Sequence, residues 1–123
     1  MLDDLKYIHA KDTYGALGVI GKQWQQLKQA YEITQIDRTF ENIVHAGMGG
    51  SALWAIVATS WPVFTLPFEI SKDYDIPSYV NDKTLFIAAS VSGNTEETLS
   101  SLKQAEEKGA FVVVIASGGK LAE

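Results

Sequence analysis

The sequence predicts an α/β protein with a parallel, doubly wound sheet and helices on both faces, a three-layer αβα sandwich. Two observations predict this class. Short apolar runs of strand length alternate with helical segments between residues 42 and 116. Glycine-rich or hydroxyl-rich turns follow two of those runs directly, at the strand ends where ligands bind to open parallel sheets.

The segment before the strands is predicted to be helical. Large apolar residues recur every three or four positions from residue 14 to residue 31, which marks one face of a helix. Asp12 or Thr13 is expected to cap its start. Three glycines within the helix each cost about 1 kcal/mol relative to alanine, so packing has to stabilise it, and we expect Trp24 to be a core anchor.

The first strand–helix–strand unit follows. Residues 42–46 (NIVHA) are predicted to form a short buried strand that ends at a glycine turn. Residues 51–60 are apolar almost all round, which is typical of a helix buried between a sheet and another surface, and Pro62 should end it. Residues 64–70 form the second predicted strand, which Pro67 places at a sheet edge.

The second unit repeats this order. Residues 83–89 are an apolar run of strand length, and residues 95–108 are predicted to be a helix that Gly109 ends. Residues 111–116 (FVVVIA) are the clearest strand, and their apolar, β-branched character predicts burial on both faces. Four strands are fewer than a doubly wound sheet usually carries, so we expect the sequence to be part of a longer protein.

Composition and charge limit what the protein binds. Its 123 residues suffice for one domain, divided into a helical segment of about residues 1–38 and an αβ core of about residues 39–123 that we expect to be incomplete at its C-terminal end. There is no apolar run of membrane-spanning length and no signal-peptide pattern, so we expect no membrane association and a cytoplasmic location. There is no cysteine, and a net charge of -5 argues against nucleic-acid binding.

The first loop with the composition of a binding site is residues 47–52, which read GMGGSA, between the first strand and its helix. Glycines there let the backbone approach a ligand closely, and the start of the helix offers unpaired N–H groups with a partial positive charge. Ser51 adds a hydroxyl. A tight turn with a plain serine cap explains the same residues, so this loop alone does not define a site.

The second loop, residues 90–98, follows the third strand and reads SVSGNTEET. It carries three hydroxyls at the carboxyl end of that strand: Ser90, Ser92 and Thr95. We expect Asn94 and Glu97 to cap the next helix in the manner of a capping box, which leaves the hydroxyls for a phosphate. Because adjacent parallel strands end at the same edge, the two loops are expected to surround one anion.

Other polar residues are expected to be structural. His45, at the end of the first strand, is predicted to be buried and hydrogen-bonded, and His9 to be solvated. The two histidines are far apart with no carboxylate at ligand spacing, so we expect no metal site. Glu96 and Glu97 suit the first turn of a helix because its dipole favours negative charge there.

Taken together, these segments resemble the SIS (sugar isomerase) domain, whose fold is flavodoxin-like. From about residue 42 to residue 123 the chain is most similar to the bifunctional phosphoglucose/phosphomannose isomerases, including SGGKLA at residues 117–122. The resemblance implies that the substrate-binding residues are Gly49, Gly50, Ser51, Ser90, Ser92 and Thr95. The family usually has tyrosine at the position of Val91, a difference that removes an aromatic ring but no hydroxyl.

The resemblance also implies an activity. Family members interconvert glucose 6-phosphate and mannose 6-phosphate with fructose 6-phosphate, in glycolysis and gluconeogenesis, as dimers with two SIS domains per chain. They use a glutamate base, a histidine that opens the sugar ring, and an arginine, all further along the chain. None of these can be placed in this sequence. We therefore expect it to bind a sugar phosphate without a catalytic residue of its own and without a cofactor.

Three alternatives fit part of the same pattern. Gly47, Gly49 and Ala52 have the spacing of a dinucleotide-binding fingerprint, with Glu69 at the distance of a ribose contact, although this leaves the second loop unexplained. Residues 92–95 also resemble the phosphate loop of flavodoxins, which follows the first strand rather than the third. A regulatory SIS module that senses a sugar phosphate fits all the residues, and none of them specifies glucose over mannose.

Overall fold

The computed structural model describes residues 4–30, 32, 34–61 and 64–123. The chain divides into two units, Met1–Ile36 and Asp37–Glu123. The predicted end of the first helix at Tyr31 and the predicted helix stop at Pro62 lie outside the described residues. Across the described parts of the chain, no helix is both long enough and apolar enough to cross a membrane.

The first unit contains short helices in place of the one long helix predicted. α1 spans Leu5–Lys11 and α2 spans Ala16–Lys22, and a 3-10 helix, Gln23–Lys28, follows α2. The carboxylate of Asp12 accepts hydrogen bonds from the first two backbone N–H groups of α2, at 2.7 and 2.9 Å. Of the two predicted caps, Asp12 is therefore the one that satisfies the start of this helix.

The prediction that Trp24 anchors a core is wrong. Its side chain is 53% exposed, and the Nζ atom of Lys28 lies 4.6 Å from the centroid of its ring. Leu17 on the same predicted face is also exposed. Because little apolar burial offsets the cost of Gly18 and Gly21, α2 ends after about two turns and the chain tightens into the 3-10 form.

The second unit is built on a four-stranded parallel sheet. β1 (Asn42–Ala46), β2 (Phe68–Ser71), β3 (Thr84–Ser90) and β4 (Phe111–Ala116) lie in the order β2-β1-β3-β4. β1 and β4 have the predicted bounds, and β3 is shifted by one residue. β2 begins only after Pro67, because proline has no N–H to donate to the ladder, and it lies at an edge as predicted.

Two helices complete the layers. α3 (Gly50–Thr59) connects β1 to β2, and α4 (Glu96–Glu107) connects β3 to β4. The strand order steps in one direction from β1 to β2 and in the other from β3 to β4. Since crossover connections between parallel strands are right-handed, the two helices lie on opposite faces of the sheet. The predicted doubly wound, three-layer class is confirmed.

The core of the second unit lies mainly between the sheet and α4. It contains Val44, Ala46, Val80, Phe86, Ala88, Ala105 and Leu121. On the other face, α3 buries Ala52 and Ala55 while Leu53 and Val57 are exposed, so the expectation that α3 is buried all round is wrong. β4 was also expected to be buried on both faces, yet Ile115 is 50% exposed because β4 is an edge strand.

Candidate functional site

The loops after β1 and β3 meet where the strand order reverses. The connections from these two neighbouring strands lead away to opposite sides, which leaves a crevice between their carboxyl ends. In open α/β sheets, ligands bind in such a crevice. Two segments border it here: residues 47–50, which we call the glycine loop, and residues 90–95, which we call the hydroxyl loop.

The glycine loop passes close to its neighbours. A Cβ atom on Gly47 would lie 3.0 Å from Nε2 of His45 and 3.1 Å from the carbonyl oxygen of Ala89, so a side chain there would displace one of them. Gly49 precedes α3 with φ of 51°, a left-handed conformation that favours glycine. In the described part of the chain no side chain caps α3, so the N–H groups of its first turn have no side-chain acceptor there.

The three hydroxyls of the hydroxyl loop form one cluster. Oγ of Ser90 lies 2.8 Å from Oγ1 of Thr95 and 3.3 Å from Oγ of Ser92, and it accepts a hydrogen bond from the N–H of Gly93 at 3.2 Å. Ser90 is buried at the end of β3, whereas Ser92 is exposed and Thr95 half-buried. The cluster therefore has a buried centre and two accessible members.

The capping-box prediction for α4 is wrong. The residue at the cap position is Thr95, and no side chain of the residues that the structure describes accepts from the first turn of the helix. The amide of Asn94 instead donates to the carbonyl oxygen of Ser92 at 3.1 Å and accepts from the N–H of Lys120 at 3.2 Å. The start of α4 is consequently open on the side of the cluster, as the start of α3 is beside the glycine loop.

A cavity of about 220 Å³ connects the two loops. It is lined by Gly50, Ser51 and Ser90 among the predicted site residues. Gly49 precedes the lining residue Gly50 in the sequence, and Ser92 and Thr95 are hydrogen-bonded to the lining residue Ser90. The structure thus brings Ser51 and Ser90 into one cavity but does not place Ser92 and Thr95 on its lining.

Several lining residues were not identified from the sequence. Trp54, Val91 and Ile115 give the cavity an apolar wall, and Ser117 adds a hydroxyl to those of Ser51 and Ser90. Trp54 was assigned to the apolar surface of a helix, and Ile115 to a buried strand. Ser117 could have been identified from the sequence, because it directly follows β4 and must therefore lie at the same edge of the sheet as the two loops.

His45 supports the glycine loop from inside. It is fully buried, and its Nε2 lies 3.0 Å from the carbonyl oxygen of Ser51. Because a carbonyl only accepts, Nε2 carries the proton, which leaves Nδ1 unprotonated and without a partner among the described residues. Burial lowers the pKa of His45, and its bond to Ser51 offsets part of that effect. The prediction of a buried, hydrogen-bonded histidine is confirmed.

Charged groups near the sheet are engaged away from the cavity. Arg38, the only arginine of the sequence, donates to the carbonyl of Asp82 at 2.6 Å, at the amino ends of the strands. Glu96 accepts from the hydroxyl of Tyr74 at 3.3 Å. The two carboxylates at the start of α4, that of Glu97 first, raise the pKa of Tyr74.

Two alternative sites find no support in the geometry. No group of three potential metal ligands occurs among the residues that the structure describes. Glu69, the carboxylate required by a dinucleotide site, accepts a hydrogen bond at 2.6 Å from Tyr79, which lines a separate cavity with Asn42 and Asn81 at the amino edge of the sheet. A ribose bound at the opposite, carboxyl edge would not meet it.

The chain is similar to known proteins that are much longer. It is 41% identical over 110 residues to a bifunctional phosphoglucose/phosphomannose isomerase of Caldicellulosiruptor bescii, covering 80% of this chain and 32% of the relative. It is 49% identical over 89 residues to the protein of the same name from Thermoplasma acidophilum (69% and 27%). A D-glucosamine-6-phosphate 4-epimerase of Sulfolobus acidocaldarius is 40% identical over 87 residues (70% and 28%). No protein-family profile matches the chain.

A solved structure has the same fold. A candidate phosphosugar isomerase of Bacillus subtilis superposes with a TM-score of 0.60 at 22% identity, over 70% of this chain and 29% of that one. A doubly wound sheet with glycine and hydroxyl loops at its switch point defines the chain as a SIS domain. Within that class, it belongs with the bifunctional phosphoglucose/phosphomannose isomerases, of which it spans about a third of the length or less.

Proposed function

We propose that this chain is the phosphate-anchoring part of an isomerase that interconverts glucose 6-phosphate and mannose 6-phosphate with fructose 6-phosphate. The observation that carries the proposal is the meeting of two loops at the switch point, with Ser51 and Ser90 on one cavity and Ser92 and Thr95 bonded to Ser90. The relatives support it, since their names specify sugar-phosphate substrates.

Neutral donors hold the phosphate in this proposal. No charged side chain lines the cavity in the described part of the chain, so hydroxyls and the N–H groups at the starts of α3 and α4 have to supply the binding energy. A hydrogen bond to a charged acceptor contributes about 1.5–3 kcal/mol. Ser51, Ser92 and Thr95 are accessible and meet the anion, while the buried Ser90 orients Ser92 and Thr95 through its hydrogen bonds to them.

The carbon chain of the sugar then occupies the rest of the cavity. Trp54 and Ile115 present apolar surface to its C–H groups, and Ser117 presents a hydroxyl to those of the sugar. Trp54 is oriented by an edge-to-face contact with His45, whose ring centroid lies 4.7 Å from its own. This contact holds the indole ring beside the cavity.

Isomerisation needs a base that moves a proton between adjacent carbons. No carboxylate lines the cavity among the described residues, and the imidazole of His45 is buried and bonded to Ser51. This chain therefore supplies anchoring, and the base belongs to another part of the whole protein. We further propose that the whole protein is a cytoplasmic homodimer that acts in glycolysis and gluconeogenesis and binds neither nucleic acid nor membranes.

The sensor alternative places the same residues around the same ligand without turnover. The names of the relatives are those of isomerases and an epimerase, which favours the enzyme. The two interpretations agree on the ligand, so ligand binding is tested first.

Calorimetric titration of the chain with fructose 6-phosphate, fructose and inorganic phosphate tests the proposal. We expect saturable binding of fructose 6-phosphate, weaker binding of inorganic phosphate and no measurable binding of fructose. Equal affinity for fructose and fructose 6-phosphate would overturn the anchoring role. Tight binding of NADH, or a flavin that copurifies with the protein, would replace it with one of the nucleotide alternatives.

A further inference from the structure

We propose that Asn94 is a positioning residue, which ties the hydroxyl loop to the segment after β4, residues 117–121, and so holds Ser92 and Thr95 in place for the phosphate. We call residues 117–121 the support loop. The inference rests on the proposed function, because it concerns the same phosphate site. It adds Asn94, which is not expected to touch the ligand, and a segment of which Ser117 lines the cavity.

Asn94 uses both ends of its amide. Oδ1 accepts from the N–H of Lys120 at 3.2 Å, and Nδ2 donates to the carbonyl oxygen of Ser92 at 3.1 Å. A backbone N–H only donates and a carbonyl only accepts, so these two partners fix the orientation of the amide. The N–H of Asn94 also donates to Oγ of Ser92 at 3.3 Å. One residue thereby fixes the position of Ser92 and joins it to the support loop.

The two loops are also joined through their backbones. The N–H of Ser117 donates to the carbonyl of Val91 at 3.3 Å, and the N–H of Leu121 donates to the carbonyl of Gly93 at 3.0 Å. The side chain of Leu121 is 6% exposed and belongs to the core. The support loop therefore connects an exposed binding loop to the core of the unit.

Glycines let the two backbones touch. A Cβ atom on Gly93 would overlap the carbonyl oxygen of Gly118, and one on Gly119 would overlap the carbonyl oxygen of Ser92. Gly93 and Gly119 also have φ of 66° and 71°, in the left-handed region. Contact this close leaves no room for a side chain between the loops, so the hydroxyl loop cannot shift without the support loop.

The connection between the hydroxyl loop and the support loop affects phosphate binding through pre-organisation. Ser92 lies at the exposed tip of its loop, and a free tip would have to be ordered each time a phosphate binds. Asn94 is exposed, and the oxygen and the nitrogen of its amide each hydrogen-bond to the protein, to Lys120 and to Ser92. Its effect on affinity therefore passes through the loop rather than through a contact with the anion.

The test compares Asn94→Ala with Asn81→Ala. Asn81 is a matched control, because its Oδ1 also accepts a backbone N–H, that of Lys83 at 2.8 Å, at the opposite edge of the sheet. We expect Asn94→Ala to weaken fructose 6-phosphate binding by about tenfold or more and Asn81→Ala by less than about twofold, with similar changes in the urea midpoint. A loss of affinity in Asn94→Ala that only follows a larger loss of stability would contradict positioning.

Nuclear magnetic resonance supplies a readout that a purely structural role would not change. Saturating inorganic phosphate should shift the amide signals of Lys120 and Leu121 in the unchanged chain, and this response should disappear in Asn94→Ala. If Asn94→Ala does not fold, the unchanged chain still tests the proposal. Amide signals of Lys120 and Leu121 that do not shift at saturating inorganic phosphate would overturn it. If the unchanged chain binds no phosphate compound, the proposed function itself fails; if it binds and Asn94→Ala binds equally well, only the positioning role fails.

Discussion

The hydroxyl of Ser90 lies 2.8 Å from the hydroxyl of Thr95, although the two residues are five positions apart in the sequence. Ser90 is 3% exposed and also accepts from the N–H of Gly93. It belongs to the interior of the loop, whereas Thr95 and Ser92 lie at the surface. The cluster therefore divides into a residue that shapes the site and residues that are available to a ligand, which gives different predictions for each.

Removal of an accessible hydroxyl should weaken phosphate binding directly. Thr95→Val and Ser92→Ala each delete one donor to a charged group, worth about 1.5–3 kcal/mol, so we expect affinity for fructose 6-phosphate to fall by about tenfold or more. Ser90→Ala should have at least as large an effect, because it releases both neighbours. Calorimetric titration measures the change. Ser100→Ala, a half-buried hydroxyl on α4 outside the site, is the control and should bind normally.

Ser51 and Thr95 test whether two loops surround one anion. If both contact the same phosphate, Ser51→Ala and Thr95→Val each weaken fructose 6-phosphate binding by about tenfold, and the double variant deviates from additivity. Neither variant should bind fructose measurably, as we expect of the unchanged chain. Strictly additive effects would show that Ser51 acts elsewhere. The site would then consist of the hydroxyl loop alone.

The sheet and the place of the site were predictable because both follow from local pattern. β1 and β4 are continuous apolar runs, and parallel strands place their following loops at one edge whatever the rest of the chain does. Ser51 and Ser90 were expected together on that ground alone. The reversal of strand order between β1 and β3 then turned this edge into a crevice.

The parts that were not predictable depend on contacts distant in sequence. Asn94 and Glu97 have the spacing of a capping box, but the N–H of Lys120, which no local pattern marks as a partner, takes the amide oxygen of Asn94. The apolar spacing that includes Trp24 likewise defines one face of a helix, but it does not show whether other residues pack against that face. In both cases the tertiary environment, rather than the local sequence pattern, determined the observed structure.

Gly47 should tolerate no side chain. Gly47→Ala places a Cβ atom 3.0 Å from Nε2 of His45 and 3.2 Å from the carbonyl oxygen of Ser51, so the bond between those two groups has to shift. We expect destabilisation of about 1–3 kcal/mol, typical of overpacking, and weaker sugar-phosphate binding. Urea denaturation measures it. Gly18→Ala, in α2 with open space around it, is the matched control and should be neutral or stabilising.

The chain by itself should not isomerise sugar phosphates. No carboxylate lines the cavity in the described residues, and His45 is buried. A coupled assay for the conversion of fructose 6-phosphate to glucose 6-phosphate should give no rate above background, even at a fructose 6-phosphate concentration that saturates the chain. Turnover in the ordinary enzyme range of about 1–1000 per second would mean that a base lies within this chain and that the anchoring role is too narrow.

His45 should make the stability of the second unit depend on pH. Burial lowers its pKa below the ordinary value of 6.5, so the unfolded state binds a proton more readily than the folded state. The free energy of unfolding is then fully present above about pH 6.5 and decreases as the pH falls from there through the folded-state pKa. The physical reason is that burial disfavours the charged imidazolium, and a proton on Nδ1 would find no acceptor among the described residues.

Urea denaturation at pH 7.5 and 5.5 should show a loss in the unchanged chain that is smaller in His45→Gln, whose amide still donates to Ser51 but does not titrate. His9→Gln removes the exposed histidine and should leave the loss intact, whereas an equal loss in His45→Gln and the unchanged chain would assign the pH dependence to other groups.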